Sequence, residues 1–81
     1  MKIKYFAWIK EITQNDEEEI NSDEIDNLDQ LKKFLMNKYP DLIKYFNKEI
    51  LRFAVNQEYI AENIKLNSKD EIAVFPPVSG G

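Results

Sequence analysis

The chain has 81 residues, a formal net charge of −4 and a hydrophobic fraction of 43%, which describes one small domain with a modest core. No run approaches the ~18 apolar residues of a membrane span, Lys2-Ile3-Lys4 does not open a signal peptide, and the acidic balance disfavours nucleic acid and anionic membranes as partners, so a cytoplasmic location is expected. Cysteine and histidine are both absent, which excludes disulfides, Cys/His zinc sites, thiol nucleophiles and imidazole bases, so no metal site is expected.

Residues Lys2 to Ile9 alternate and are rich in β-formers. Ile3, Tyr5, Ala7 and Ile9 share one face of the predicted strand; Lys2, Lys4, Phe6 and Trp8 share the other. The lysines mark that second face as outward, which leaves Phe6 and Trp8 wet or covered by a partner. Thr13-Gln14-Asn15-Asp16 reads as a hairpin turn. The next strand, Glu17 to Asn21, is weak and charged, as suits an edge that must resist pairing with other chains. From Glu11 to Gln30 there are nine acidic residues and no Lys or Arg. This run reads as a solvated face or as a docking surface for a basic partner.

A helix begins at Asn27, a good N-cap, with Gln30 completing a capping-box pattern and Asp29 favoured by the helix dipole. Leu28, Leu31, Phe34, Leu35 and Tyr39 recur at helical spacing as one apolar stripe, and Pro40 ends the helix near Lys38 or Tyr39. Leu42, Ile43, Tyr45 and Phe46 predict a short helical turn under the sheet. Leu51 to Val55 is a third strand and Glu58 to Ile60 a short fourth, with Asn56-Gln57 turning between them. Ala61 to Leu66 is irregular with apolar anchors, and Asn67 to Asp70 is a turn. Glu71 to Phe75 is nearly all apolar, which predicts a central strand covered on both faces. Pattern alone gives an α+β domain over residues 1–75, a mixed sheet with one main helix.

Residues 76–81 form a different kind of segment. Pro76 has no N–H to extend a ladder, so the last strand should end there. Pro76-Pro77 favours an extended stem, so the tail should project flexibly from the body. Gly80-Gly81 lacks side chains, and an active-site channel could close around its bare backbone. The chemically special group is the α-carboxylate of Gly81, an anion at neutral pH.

A strand running into a projecting Gly-Gly end resembles the ubiquitin-like proteins. The string Phe75-Pro76-Pro77-Val78-Ser79-Gly80-Gly81 closely resembles the end of the small subunits of molybdopterin synthase, the MoaD-type sulfur carriers of the ThiS/MoaD family. The likeness covers essentially the whole chain. Tyr5-Phe6-Ala7 with Lys10-Glu11 is similar to the family's first strand end, although Lys10 stands where Arg is common. Ala54-Val55-Asn56-Gln57 looks like its third-strand turn, and Ser79 stands where Thr is frequent.

The resemblance implies a β-grasp fold and a sulfur relay. A ubiquitin-activating-type adenylyltransferase uses ATP to adenylate the Gly81 carboxylate, and sulfur displaces AMP to give a thiocarboxylate. The large synthase subunit, in a heterotetramer, takes the tail into its pocket. There the sulfur attacks cyclic pyranopterin monophosphate, and two transfers build the dithiolene of molybdopterin. The chain would bind no cofactor and would not be catalytic alone. The reacting end is Gly80 and Gly81; the resemblance extends partner contact to Pro76, Pro77, Val78 and Ser79. Strand parity adds Phe75 and Phe6, and Tyr59 beside inward Ile60, as candidates for the docking patch, with ordinary core packing the alternative for each. Other readings remain open: a sulfur carrier for thiazole or another pathway including tungsten-cofactor assembly, a conjugating modifier joined through Gly81, or a binding module with an inert tail.

Overall fold

The computed structural model describes residues 1–21 and 23–77. The elements are β1 (Lys2–Tyr5), α1 (Ile9–Thr13), β2 (Glu17–Glu19), α2 (Leu28–Lys38), a 3-10 turn (Pro40–Leu42), α3 (Ile43–Asn47), β3 (Arg52–Val55), β4 (Glu58–Ile60) and β5 (Glu71–Phe75). The strands form one sheet in the order β2-β1-β5-β3-β4. β1 and β5 are parallel, and every other pair is antiparallel. A central parallel pair formed by the first and last strands, with one main helix across one face, is the β-grasp arrangement.

Period-two alternation makes the sheet one-sided. Ile3 pairs with Ile72 and Tyr5 with Val74, while Phe53 pairs with Val74 and Val55 with Ile72. All six side chains are buried, and they meet Leu28, Leu31 and Leu35 of α2. Removing that much apolar surface from water supplies most of the drive to fold, at about 25 cal/mol per Å². Glu71, Ala73 and Phe75 point the other way and are half-buried. β5 is therefore central but covered by helix on one face only, which corrects the expectation of two covered faces. With Ala73 and Phe75 on the outward side, simple alternation in this strand looks like a continuous apolar run.

The first strand is also shorter than its alternation predicts. Pairing of β1 with β5 ends at Tyr5, the Phe6 N–H still reaches the Val74 carbonyl at 3.1 Å, and Ala7 then turns to φ 55. That left-handed conformation breaks the alternation, so exposed Ala7 and buried Ile9 do not share a strand face. Ile9 enters the core from α1 instead. Gln14 closes α1 in the left-handed region and donates its N–H to the Lys10 carbonyl. A helical turn thus replaces the simple hairpin expected at Thr13 to Asp16, and the Thr13 hydroxyl donates to the Asn15 carbonyl at 3.1 Å.

The helix expectation holds in detail. Asn27 Oδ1 accepts the Gln30 N–H at 2.9 Å. The Gln30 side chain reaches one residue beyond the N-cap and accepts the Asp26 N–H at 2.6 Å. Residues 61–66 supply what the helix start still lacks. The Leu28 N–H donates to the Ile64 carbonyl at 2.9 Å, and the Asp29 N–H to Asn63 Oδ1 at 2.9 Å. This irregular stretch is thus a backbone partner for donors that a helix N-terminus leaves unpaired. Asn56 and Gln57 both have positive φ, 53 and 71, as the tight hairpin between β3 and β4 demands. Of the short helical segment after Pro40, Leu42 is fully buried, Tyr45 and Phe46 pack against the core, and Ile43 stays 39% exposed.

Candidate functional site at the open sheet face and the root of the tail

The uncovered face of the sheet is built by the same pairing that builds the core. Lys4 lies beside Ala73, Ala73 beside Ala54, and Ala54 beside Tyr59. Arg52 lies beside Phe75 in the next row, and Phe6 continues β1 at the same end. The two alanines make a low floor with larger side chains around it. Tyr59 is 57% exposed and Phe6 is 44% exposed, while Phe75 is half-buried. Opposite them the face is charged and paired: Lys4 Nζ lies 3.1 Å from Glu71 and Lys2 Nζ 3.4 Å from Glu17.

The three docking candidates therefore share one solvent-facing surface, and none of them belongs to the buried core. Exposed aromatic residues brought together on one face mark an interaction surface better than scattered ones do. Pro76 is half-buried where β5 ends and Pro77 is exposed. Val78, Ser79, Gly80 and Gly81 lie outside the described residues. Trp8, expected on the lysine face, is not part of this patch. After the turn at Ala7 its ring packs on Tyr45 with centroids 4.7 Å apart. Arg52 also does less than its position suggests, because its guanidinium donates to the Glu49 carbonyl at 2.6 Å and steadies the loop after α3.

Among the described residues no group of Asp and Glu is arranged to hold a metal ion. The perturbed titratable groups sit elsewhere, on the core side of the edge strand. Glu18 accepts from the Tyr5 hydroxyl at 2.7 Å, from the Tyr39 hydroxyl and from Lys38 Nζ. Burial pushes the Glu18 carboxyl up, but Lys38, Tyr39 and Tyr5 outweigh it and hold the group below its ordinary value. Burial, reinforced by Glu18, raises both Tyr5 and Tyr39, so neither phenol ionises near neutral pH. This cluster ties β2 to α2. The body thus offers a shaped surface beside the exit of β5.

No helix among the described residues is long and apolar enough to cross a membrane. A curated relative from Dictyostelium discoideum, called molybdopterin synthase sulfur carrier subunit, is 43% identical over 99% of this chain and 94% of its own length. A solved structure from Pyrococcus furiosus, described as a putative molybdopterin converting factor subunit 1, superposes with a TM-score of 0.82 at 29% identity, covering 95% of each chain. The small archaeal modifier protein 1 of Methanosarcina acetivorans superposes with a TM-score of 0.76 at 27% identity, covering 99% of this chain and 94% of that one. The profile of the ThiS family matches residues 3–81, nearly the whole β-grasp body together with the Gly-Gly end, and on that match the chain belongs to the ThiS family.

Proposed function

We propose that the chain is the sulfur carrier subunit of a molybdopterin synthase, acting in molybdenum cofactor biosynthesis. The observation that carries this reading is full-length similarity to sulfur carrier subunits of that synthase, at 43% identity to the Dictyostelium protein. The geometry is consistent with it. A protein that hands one atom to a partner needs an interaction surface beside a projecting end, and Phe6, Phe75 and Tyr59 lie on the face where β5 leads into Pro76.

The chemistry proposed for Gly81 follows from the carboxyl group. A carboxylate is a poor electrophile until one oxygen becomes a leaving group. Its oxygen attacks the α-phosphorus of ATP in the active site of an adenylyltransferase, and pyrophosphate departs. Sulfur at the oxidation level of sulfide then displaces AMP, leaving a thiocarboxylate. That sulfur is the better nucleophile; in the large subunit's pocket it attacks the pterin precursor. Hydrolysis of the resulting thioester breaks its bond to the Gly81 carbonyl, leaving sulfur on the pterin and the carboxylate restored. The chain itself holds no cofactor; the ATP belongs to the activating partner. Its contribution is positional, since binding energy from the body holds one reacting atom in place. Two carriers on a pair of large subunits give a heterotetramer, and the relay runs in the cytoplasm.

Gly80→Ala and Gly81→Ala test the relay. A Cβ at either place widens the chain where it must be narrow and removes access to positive φ. Misplacing a reacting atom by about 1 Å lowers a rate on the order of 100-fold. Adenylation, thiocarboxylate formation by intact mass, and sulfur delivery to the pterin precursor are measured separately. The expected result is a block in at least one step with the fold unchanged. Alanine variants that pass all three steps near the wild-type rate would overturn the threaded-tail reading. Stable protein adducts through Gly81, without sulfur transfer, would favour a conjugating modifier, the kind of role that the name of the Methanosarcina modifier protein describes.

A further inference from the structure

The two edges of the sheet differ in charge. β2 consists of Glu17, Glu18 and Glu19, and like charges facing one another oppose pairing with a second copy. β4 consists of Glu58, Tyr59 and Ile60 and has no such barrier. Its main chain is open along one side. Asn56 and Gln57 both have positive φ, as in a two-residue type I′ hairpin, so Val55 and Glu58 exchange their hydrogen bonds. The Asn56 N–H points away from β4, to the Glu71 carbonyl at 2.8 Å, which fixes the same alternation along β3. Ile60 then bonds back to Phe53, and the N–H and carbonyl of Tyr59 point outward from the edge.

Beside that edge lies a groove between α2, the end of α3 and the β3–β4 pair. Lys32, Phe46, Phe53, Tyr59 and Ile60 are among the residues that line it. The Phe46 and Phe53 rings stack with centroids 5.9 Å apart, and Lys32 Nζ lies 5.4 Å from the Phe53 centroid. Among the described residues neither Lys32 nor Glu58 has an ion pair. Arg52, whose guanidinium is turned to the Glu49 carbonyl, and Glu49 itself also line the groove, which leaves an excess of positive charge there. A second β4, antiparallel about a two-fold axis at Tyr59, fits both the open edge and the groove. The two Tyr59 residues exchange their outward main-chain bonds, and Glu58 of each copy falls opposite Ile60 of the other. Glu58 and Ile60 share a face, so each Glu58 carboxylate comes to the groove that holds Lys32. One arrangement thus gives both unpaired charges a partner, twice over by symmetry. We propose that two copies of this chain join edge to edge through β4, with Glu58 of each copy paired to Lys32 of the other. The same surface is used on both copies, so the contact closes at a dimer. The inference does not rest on the sulfur-carrier reading.

The test uses the full chain alone in solution, by sedimentation equilibrium and amide exchange. Two main-chain bonds and two ion pairs make a small contact, so the expected dissociation constant is on the order of 0.1–1 mM. The Tyr59 N–H should gain protection as the dimer forms. Glu58→Lys and Lys32→Glu should each weaken association on the order of tenfold, since each sets two like-charged pairs across the contact. An equal mixture of the two variants should associate like wild type. In that mixture Lys32 of one chain meets Glu58 of the other, and the two substituted positions also meet with opposite charge. Lys33→Glu, an exposed neighbour that does not line the groove, makes the same change in net charge and should leave association unaltered. Glu58 is exposed, so Glu58→Lys reads the contact even where Lys32→Glu disturbs the fold. A chain that stays monomeric several-fold above the expected dissociation constant would overturn the inference. So would a species larger than a dimer, a dimer that Glu58→Lys retains at full strength, or a mixture of folded variants no stronger than either alone.

Discussion

Val74 and Phe75 are adjacent on one strand and have opposite surroundings. Val74 is fully buried between Tyr5 and Phe53, whereas Phe75 lies on the open face beside Arg52. Phe75→Ala should therefore weaken binding to the large subunit by ~2 kcal/mol, as truncation of a central aromatic anchor often does. Its effect on folding should stay near about 1–2 kcal/mol, below the ~3–5 typical of a fully buried phenylalanine. Calorimetric titration and urea denaturation of the one variant separate the two. Loss of most of the stability with binding per folded molecule intact would return Phe75 to the core. Parity along β5 was enough to place this residue. The same reasoning placed Phe6, because pairing continues as far as its N–H. It failed at Trp8, one alternation later, because Ala7 leaves the extended region and parity has no meaning across such a turn.

At the scale of elements, β2 is the informative one. It has three residues, Glu17–Glu19, and no large apolar side chain. Charge on an edge strand discourages unwanted pairing, but here charge also attaches the strand. Glu18 lies opposite Ile3, on the core side, and gathers the Tyr5 and Tyr39 hydroxyls and Lys38. Because the folded state holds its carboxyl below the ordinary value, the unfolded chain binds the proton more readily. Glu18 therefore contributes stability that is complete above the unfolded value, about 4.3 for glutamate. That contribution is lost as pH falls through the folded value. Glu18→Gln should remove this part of the acid dependence and destabilise the fold by about 1–3 kcal/mol at pH 7, since donors are left without their charged acceptor. Urea denaturation of both proteins from pH 7 downward measures it. Parallel stability curves, with the variant unchanged at pH 7, would show that the cluster does not hold the strand.

At the scale of the whole molecule, the core that holds the body together is separate from the end where the chemistry is proposed. Nine of the fifteen acidic residues fall between Glu11 and Gln30, and the fold puts several of them to internal use. Asp16 faces Lys10 at 3.8 Å, Glu17 faces Lys2 at 3.4 Å, and Glu18 is the hub of its cluster. Part of the run is thus spent on holding the β2 edge. The core, by contrast, is made by residues from Met1 to Val74. Deleting Gly81 should leave the melting temperature within about 2 °C, since a change of 1 kcal/mol shifts a domain of this size by roughly 4–8 °C. The same deletion should abolish thiocarboxylate formation. A large fall in melting temperature with sulfuration intact would refute that division of labour.

Some of this architecture is written in short stretches of chain. The α2 helix follows from a cap and a stripe, β3 and β4 from alternation around Asn56-Gln57, and the end of β5 from Pro76. Each depends on residues a few positions apart, where local sterics and hydrogen bonds dominate. The likeness of the last seven residues to sulfur carriers is equally local. What pattern could not supply depends on partners brought together by folding. Glu18 meets Tyr5 across 13 positions and Tyr39 across 21, and no periodicity marks an acid in an acidic run as the one that turns inward. α1 forms where Ile9 can reach the core, so the strand expected there stops at Tyr5. The open face of β5 was hidden because five nearly apolar residues look alike whether one side is covered or two, and only the packing of α2 against the opposite face distinguishes them.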